Sequence, residues 1–262
     1  MKNIENDLLN KGYIVKNVSK KNLNDLKKLN YYLFDCAKSL LPKKKITEKN
    51  PQLFFNNFAK YISLHNLNDF RVKLMQMINS NSLFKDKLYS VSNDLLDYVV
   101  GNELAVQKRI NLSIQLPNDN TSLLPVHADT WSGDSPFEIV VWLPFVDCFN
   151  TKSMYILPPK KNDVFLSNFS NYQSMNAEEI FQEIKNDLDW INIKFGQVMI
   201  FNQSLPHGNV TNLENETRWS INCRFKSLFS PYGDKKLGEF FEPLNIKIMS
   251  RIGMNYKYPK IK

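Results

Sequence analysis

Arg109-Ile110-Asn111-Leu112-Ser113-Ile114-Gln115-Leu116 carries an aliphatic residue at every even position and a polar one at every odd position. A period of two puts the aliphatic set on one face of a β-strand and the polar set on the other; a helix would scatter both around its axis. The alternation returns in Arg218-Trp219-Ser220-Ile221-Asn222-Cys223-Arg224-Phe225, where Arg218, Ser220, Asn222 and Arg224 share one face. Further strands are expected over 137–146, 153–157, 197–202 and 219–229, separated by Pro, Gly and Asn turn signals.

Upstream of residue 103 the spacing changes. After a short strand-like Tyr13-Ile14-Val15, Ser19 is placed to cap a helix carrying Leu23, Leu26, Leu29, Leu33 and Leu40. Asn68 is placed to cap a second helix through Phe70, Val72, Leu74 and Ile78, and a third runs over 82–99 and stops before Gly101. Helices followed by strands predict a β-sandwich or barrel buttressed by helices. The chain of 262 residues is 43% hydrophobic and 13% aromatic, which suits one large core. We therefore read a single domain over 1–262: a helical scaffold over 1–102, a β-core over 103–229 and a C-terminal extension over 230–262. The core holds an insertion over 158–193, with a short helix expected over 177–188 and a lid as its expected role.

Composition narrows the function. Three separated cysteines, Cys36, Cys148 and Cys223, show no CxxC spacing, so neither a disulfide framework nor a zinc knuckle is expected. No apolar run is long enough to span a bilayer, and the first residues lack a signal-peptide pattern, so a cytoplasmic protein is expected. The net charge of +8 is dispersed apart from short runs such as Lys43-Lys44-Lys45 and Lys160-Lys161. This is the pattern of a solvated surface rather than of a nucleic-acid groove; neither nucleic acid nor membrane is an expected partner, and the oligomeric state is left open.

Two of the three histidines stand where chemistry can be built. His127-Ala128-Asp129 follows the 109–116 strand, and His207 follows the 197–202 strand. The one-residue spacer puts His127 and Asp129 on the same side of an extended segment. By itself His-x-Asp is a common chance pattern, equally a hydrogen-bonded surface pair. With a distant His it supplies two imidazoles and one carboxylate, a set that covers one face of an octahedral metal and leaves three positions open. Arg218 stands eleven positions after His207, with Ser220 beyond it, and its planar fork suits a carboxylate better than Lys would. The polar face of this strand is either solvent-exposed or, in a barrel with an interior site, turned inward together with Asn111, Ser113 and Gln115.

With these residues in view the sequence resembles the 2-oxoglutarate oxygenase superfamily, in its phytanoyl-CoA dioxygenase and ectoine hydroxylase branch. The shared motifs are Gln107 with Asn111; His127-x-Asp129 with Trp131 after it; Gly196 and Phe201 leading to His207; and Arg218 eleven positions on. The resemblance implies a double-stranded β-helix, a jelly roll with helices outside, of α+β or mainly β class. It implies Fe(II) on His127, Asp129 and His207, and 2-oxoglutarate held by Gln107, Asn111, Asn209, Arg218 and Ser220. It also implies a hydroxylation in which O2 and 2-oxoglutarate become succinate and CO2. Asp129 argues against halogenation, since halogenases of this class replace that carboxylate by a small residue.

The chain departs from the family in 149–158, where Lys152 replaces a usual Gly, a change expected to reshape the substrate mouth. A looser resemblance to oxygenases of surface-carbohydrate and aminoglycoside gene clusters points to a sugar-like small-molecule substrate. Arg109 and Arg224 offer contacts for an anionic one, or ordinary ion pairs. Trp131 and Trp142 read as packing residues rather than substrate platforms, and His65 as a solvated histidine. A non-catalytic sugar-binding jelly roll and a zinc hydrolase on the same triad are the alternative classes. Neither explains Arg218 at its spacing as directly.

Overall fold

The computed structural model describes residues 2–42, 46 and 48–260; the Lys43-Lys44-Lys45 run lies outside the described residues. Two sheets face each other. The larger runs in the order β1 (Tyr13–Asn17), β7 (Gln197–Phe201), β4 (Glu138–Pro144), β9 (Arg218–Ser227), β2 (Leu104–Gln107), β10 (Phe241–Leu244), with β3 (Asn111–Gln115) also paired to β9. The smaller runs β6 (Asp189–Trp190), β5 (Tyr155–Ile156), β8 (His207–Gly208), and His127 extends it by a bridge to His207. Every pairing among the named strands is antiparallel. This is the expected jelly roll.

Register turns the sequence alternation into an interior. Asn111 stands opposite Asn222, Ser113 opposite Ser220 and Gln115 opposite Arg218, so the polar sets of β3 and β9 share one face. Leu112 with Ile221, and Ile114 with Trp219, share the other. That apolar face packs on helices: the Trp219 ring lies 4.7 Å from Phe55 of α3 (Pro51–Asn56) and 4.7 Å from Phe58 just after it. Phe70 of α4 (Leu64–Ser80) approaches at 6.3 Å. With the apolar side covered outside, the polar side must face inward, between the sheets.

The scaffold also contains α1 (Lys2–Lys11), α2 (Leu23–Ser39) and α5 (Ser82–Val99). Two caps differ from the sequence reading. Ser19 precedes a 3-10 turn, Lys20–Asn22, and α2 begins only at Leu23. Asn68 lies inside α4, which begins at Leu64 after Ser63. The apolar spacing of that helix extends a turn further back, a boundary that periodicity alone locates poorly.

The periphery departs from the sequence reading at Lys152 and gains detail at the insertion and the C-terminal extension. The insertion forms α6 (Pro159–Ser167) and α7 (Ala177–Ile184), the latter opened by a capping box of Asn176 and Glu179. Its Phe165 and Ile184 pack with Tyr155, Leu157 and Val126 in a separate apolar cluster on the small sheet. It braces that sheet and contributes no residue to the cavity described below. The C-terminal extension supplies β10, which completes the edge of the large sheet by pairing with β2. Lys152 is fully buried, with Nζ donating to Asn56 Oδ1 at 2.9 Å and Glu216 Oε2 at 2.6 Å. A buried ammonium needs acceptors inside the protein, so Lys152 ties α3 to the 212–217 turn instead of shaping a mouth.

Candidate metal centre

His127, Asp129 and His207 each present a donor atom within 4.8 Å of the others. Backbone hydrogen bonds clamp the two segments: His127 N donates to His207 O at 3.0 Å and His207 N to His127 O at 2.8 Å. Asp129 N donates to Gln203 O at 3.0 Å. Gly208 lets the strand pass under Tyr155, since a Cβ there would sit 2.6 Å from the phenolic oxygen. The His127 and His207 rings lie 4.3 Å apart.

Both imidazoles are oriented alike. His127 Nδ1 lies 2.8 Å from Pro125 O, and His207 Nδ1 lies 2.8 Å from Leu205 O. A carbonyl can only accept, so each Nδ1 carries a hydrogen and each Nε2 is the ring atom left to a metal, which at His127 would displace the proton shared with Asp129. Asp129 Oδ1 lies 3.5 Å from His127 Nε2, and Asp129 Oδ2 is held by Arg224 Nη2 at 2.7 Å.

The electrostatics fit a cation site. Burial raises the Asp129 pKa, but the His127 hydrogen bond and the nearby Arg224 and imidazole charges outweigh it, holding the carboxyl well below its usual range. Burial, with the like charge of His127, pushes His207 down to about 4, so it is neutral at pH 7. Burial lowers His127 too, yet its hydrogen bonds to Asp129 and Pro125 leave it raised overall.

A cavity of about 190 Å³ opens from the three donors and reaches Arg218, passing Asn111, Ser113, Asn209 and Asn222. Arg218 is 3% exposed, with Nη1 donating to Ser153 O at 2.8 Å and Nη2 to Ser113 Oγ at 2.9 Å. Its Nε has no partner, and among the described residues no carboxylate forms an ion pair with it. Burial lowers its pKa to about 10, which still leaves it charged. A buried, uncompensated guanidinium is costly unless an anion joins it.

The other expected contacts divide. Asn111 and Asn209 line the cavity, Asn111 donating to Asn222 Oδ1 at 2.8 Å and Asn209 Oδ1 accepting from Leu124 N at 2.8 Å. Gln107 and Ser220 are buried but do not line it. Gln107 Oε1 accepts from Arg224, and Ser220 Oγ has no partner. Trp142 lines the cavity with Met154, Val140 and Phe201, so it is a wall residue as well as a packing one. Trp131 is 42% exposed and stacks on Phe165 at 6.1 Å, as a packing residue would. His65 and Arg109 are exposed and apart from the site. The alternation of β9 already set Asn222 and Arg224 beside Arg218; only the strand order brings Trp142 and Met154 to them.

No protein-family model and no curated protein sequence matches the chain. Solved structures do match in fold. Apo HygX from Streptomyces hygroscopicus aligns at 10% identity over 88% of this chain and 89% of its own, with a TM-score of 0.55. Iron-bound HygX aligns at 10% identity over 90% of each chain, TM-score 0.54. HygX with nickel, 2-oxoglutarate and hygromycin B bound aligns at 11% identity over 90% of each chain, TM-score 0.51. The likeness shows the fold expected from the sequence, the helix-buttressed jelly roll.

Proposed function

We propose that the chain is an Fe(II)- and 2-oxoglutarate-dependent oxygenase that hydroxylates a small molecule. The observation that carries this reading is Arg218, a buried guanidinium that meets no carboxylate among the described residues, on the cavity that also holds His127, Asp129 and His207. A zinc hydrolase or a sugar-binding jelly roll needs no such cation at that distance from the triad. HygX, which shares the fold, has been solved with iron and with 2-oxoglutarate, which supports the same pair of ligands here.

In this reading His127 Nε2, His207 Nε2 and one oxygen of Asp129 hold the iron, which with 2-oxoglutarate and O2 supplies the oxidising power. Arg218 would take the far carboxylate of 2-oxoglutarate through a charge-assisted hydrogen bond, and Asn111 and Asn209, which line the same cavity, would offer it amide contacts. Val140, Trp142, Met154 and Phe201 keep water from the reacting centre.

The substrate side is a second cleft of about 380 Å³ along the free edge of β3, which shares Asn111, Ser113, Leu124 and Asn222 with the metal cavity. Its Arg71 is already engaged, 3.3 Å from Asp119. Arg224 is engaged by Asp129. The remaining polar lining is amide and hydroxyl: Asn111, Asn222, Ser113, Thr121 and Ser122. Such a lining favours an uncharged, hydroxyl-bearing substrate such as a sugar derivative over the anionic one also expected.

Anaerobic addition of Fe(II) and then 2-oxoglutarate tests the reading. A weak visible charge-transfer absorption that needs both components, and that His127→Ala loses, is the expected result. No absorption together with tight zinc binding would favour the hydrolase, and no metal binding at all would favour the binding protein.

A further inference from the structure

Between the end of β9 at Ser227 and the start of β10 at Phe241, the chain passes back over the loop beside the metal centre. Residues 231–241 lie across Gly133-Asp134-Ser135, the loop that follows the turn carrying Asp129. Asp234 N donates to Gly133 O at 2.8 Å, and Ser135 Oγ donates to Pro231 O at 2.7 Å. Gly233 packs directly on this loop, and a Cβ there would collide with the Gly133 backbone. Lys235 forms an ion pair with Asp134, which is buried, and its Nζ lies 4.9 Å from the centre of the Phe240 ring.

Arg224 joins this segment to the metal ligand, with every guanidinium nitrogen engaged. Nη2 meets Asp129 Oδ2 at 2.7 Å, Nε donates to Gln203 Oε1 at 2.9 Å and Nη1 to Gln107 Oε1 at 3.3 Å. Nε is also 3.4 Å from Asp134 Oδ1, a charge contact without a hydrogen bond. The Phe240 ring lies 5.9 Å from the guanidinium carbon.

We propose that Arg224 is a positioning residue that holds Asp129 to one-oxygen metal ligation, and that the 231–241 strap keeps Arg224 in that post through Lys235. The proposal rests on the metal-binding reading above. A carboxylate free to rotate can chelate a metal with both oxygens, which would consume one of the three positions that co-substrate and O2 require. Arg224 occupies Oδ2 and so leaves Oδ1, the oxygen beside His127 Nε2, to face the metal. Two carboxylates compete for this one guanidinium. Lys235 neutralises Asp134 and so leaves Arg224 to Asp129; without it the buried Asp134 would draw Arg224 away.

Co(II) titration of the full chain provides the test, read by visible d–d absorption and by affinity. In Arg224→Gln and in Lys235→Met the band should change shape and intensity, and Co(II) should bind about 10- to 100-fold more weakly, the usual effect of losing a partner of a metal ligand. Asp134→Asn combined with Lys235→Met should restore the wild-type spectrum, because the competing charge is gone. Wild-type spectrum and affinity in both Arg224→Gln and Lys235→Met would overturn the proposal, as would failure of the Asp134→Asn combination to restore the band. A wild-type chain that binds no Co(II) would instead overturn the metal reading on which it rests.

Discussion

Ser113 Oγ accepts a 2.9 Å hydrogen bond from Arg218 Nη2, joining residues 105 positions apart at the closed end of the metal cavity. With Ser153 O on Nη1 at 2.8 Å, it fixes the plane of the guanidinium before any ligand arrives. A side chain already ordered loses little entropy on binding.

Arg218→Ala should therefore weaken 2-oxoglutarate binding by at least ~100-fold, the scale of losing charge-assisted hydrogen bonds to a buried carboxylate. Metal affinity should stay within a few-fold of wild type, because Arg218 touches none of the three donors. Anaerobic titration of 2-oxoglutarate into the Co(II)-loaded variant measures both; unchanged co-substrate affinity would remove the assigned role.

Trp219 couples the helices to the strand that carries Arg218. It is fully buried and contacts Phe55, Phe58 and Phe70. Trp219→Ala should cost about 3–5 kcal/mol by lost burial and an unfilled cavity. Urea denaturation should show a lower midpoint, and a loss below 1 kcal/mol would mean that the helices are not anchored there.

The Lys152–Glu216 pair should respond asymmetrically. Glu216 is half exposed while Lys152 is fully buried, so Glu216→Ala strands a cation with only Asn56 as acceptor. Lys152→Met removes the charge and keeps most of the volume. Glu216→Ala should be the more destabilising of the two by about 1 kcal/mol or more, after discounting for the solvent around Glu216. The double variant should resemble Lys152→Met alone, and equal losses in both single variants would contradict this account.

His207 sets an acid limb for the metal-free protein. Its pKa in the folded chain is about 4 against an ordinary 6.5, so between those values the unfolded chain binds a proton that the folded one does not. Stability must then fall as pH drops from 6.5 towards 4, by roughly 3 kcal/mol in all. His127 is shifted the other way, so its contribution has the opposite sign, is lost as pH rises above 6.5, and does not produce the decline on the acid side. Urea midpoints of the apoprotein from pH 7 to 4.5 should decline, and His207→Gln should decline less; parallel curves would rule out this origin.

Much of the site was readable in one dimension because its signals are local. Period two identified the strands and put Arg218, Asn222 and Arg224 on one face of β9. His127, Asp129 and His207 stood out because imidazoles are few in this chain and flank predicted strands. The short strands β2, β6, β8 and β10 were harder, since four residues or fewer show little periodicity and owe their form to a neighbour. Burial is likewise a property of the assembled chain, which is why Lys152 read as reshaping the substrate mouth when it is fully buried. Charge pairing is the extreme case. Arg224 reads in sequence as another cation beside a possible anion, and it becomes the partner of Asp129 only when β9, the 133–135 loop and the 231–241 strap meet. Residue type and spacing thus determined the strands and brought out the His-x-Asp pair, the distant His and Arg218; which of the described cations meet a carboxylate depended on distances that only the folded chain sets.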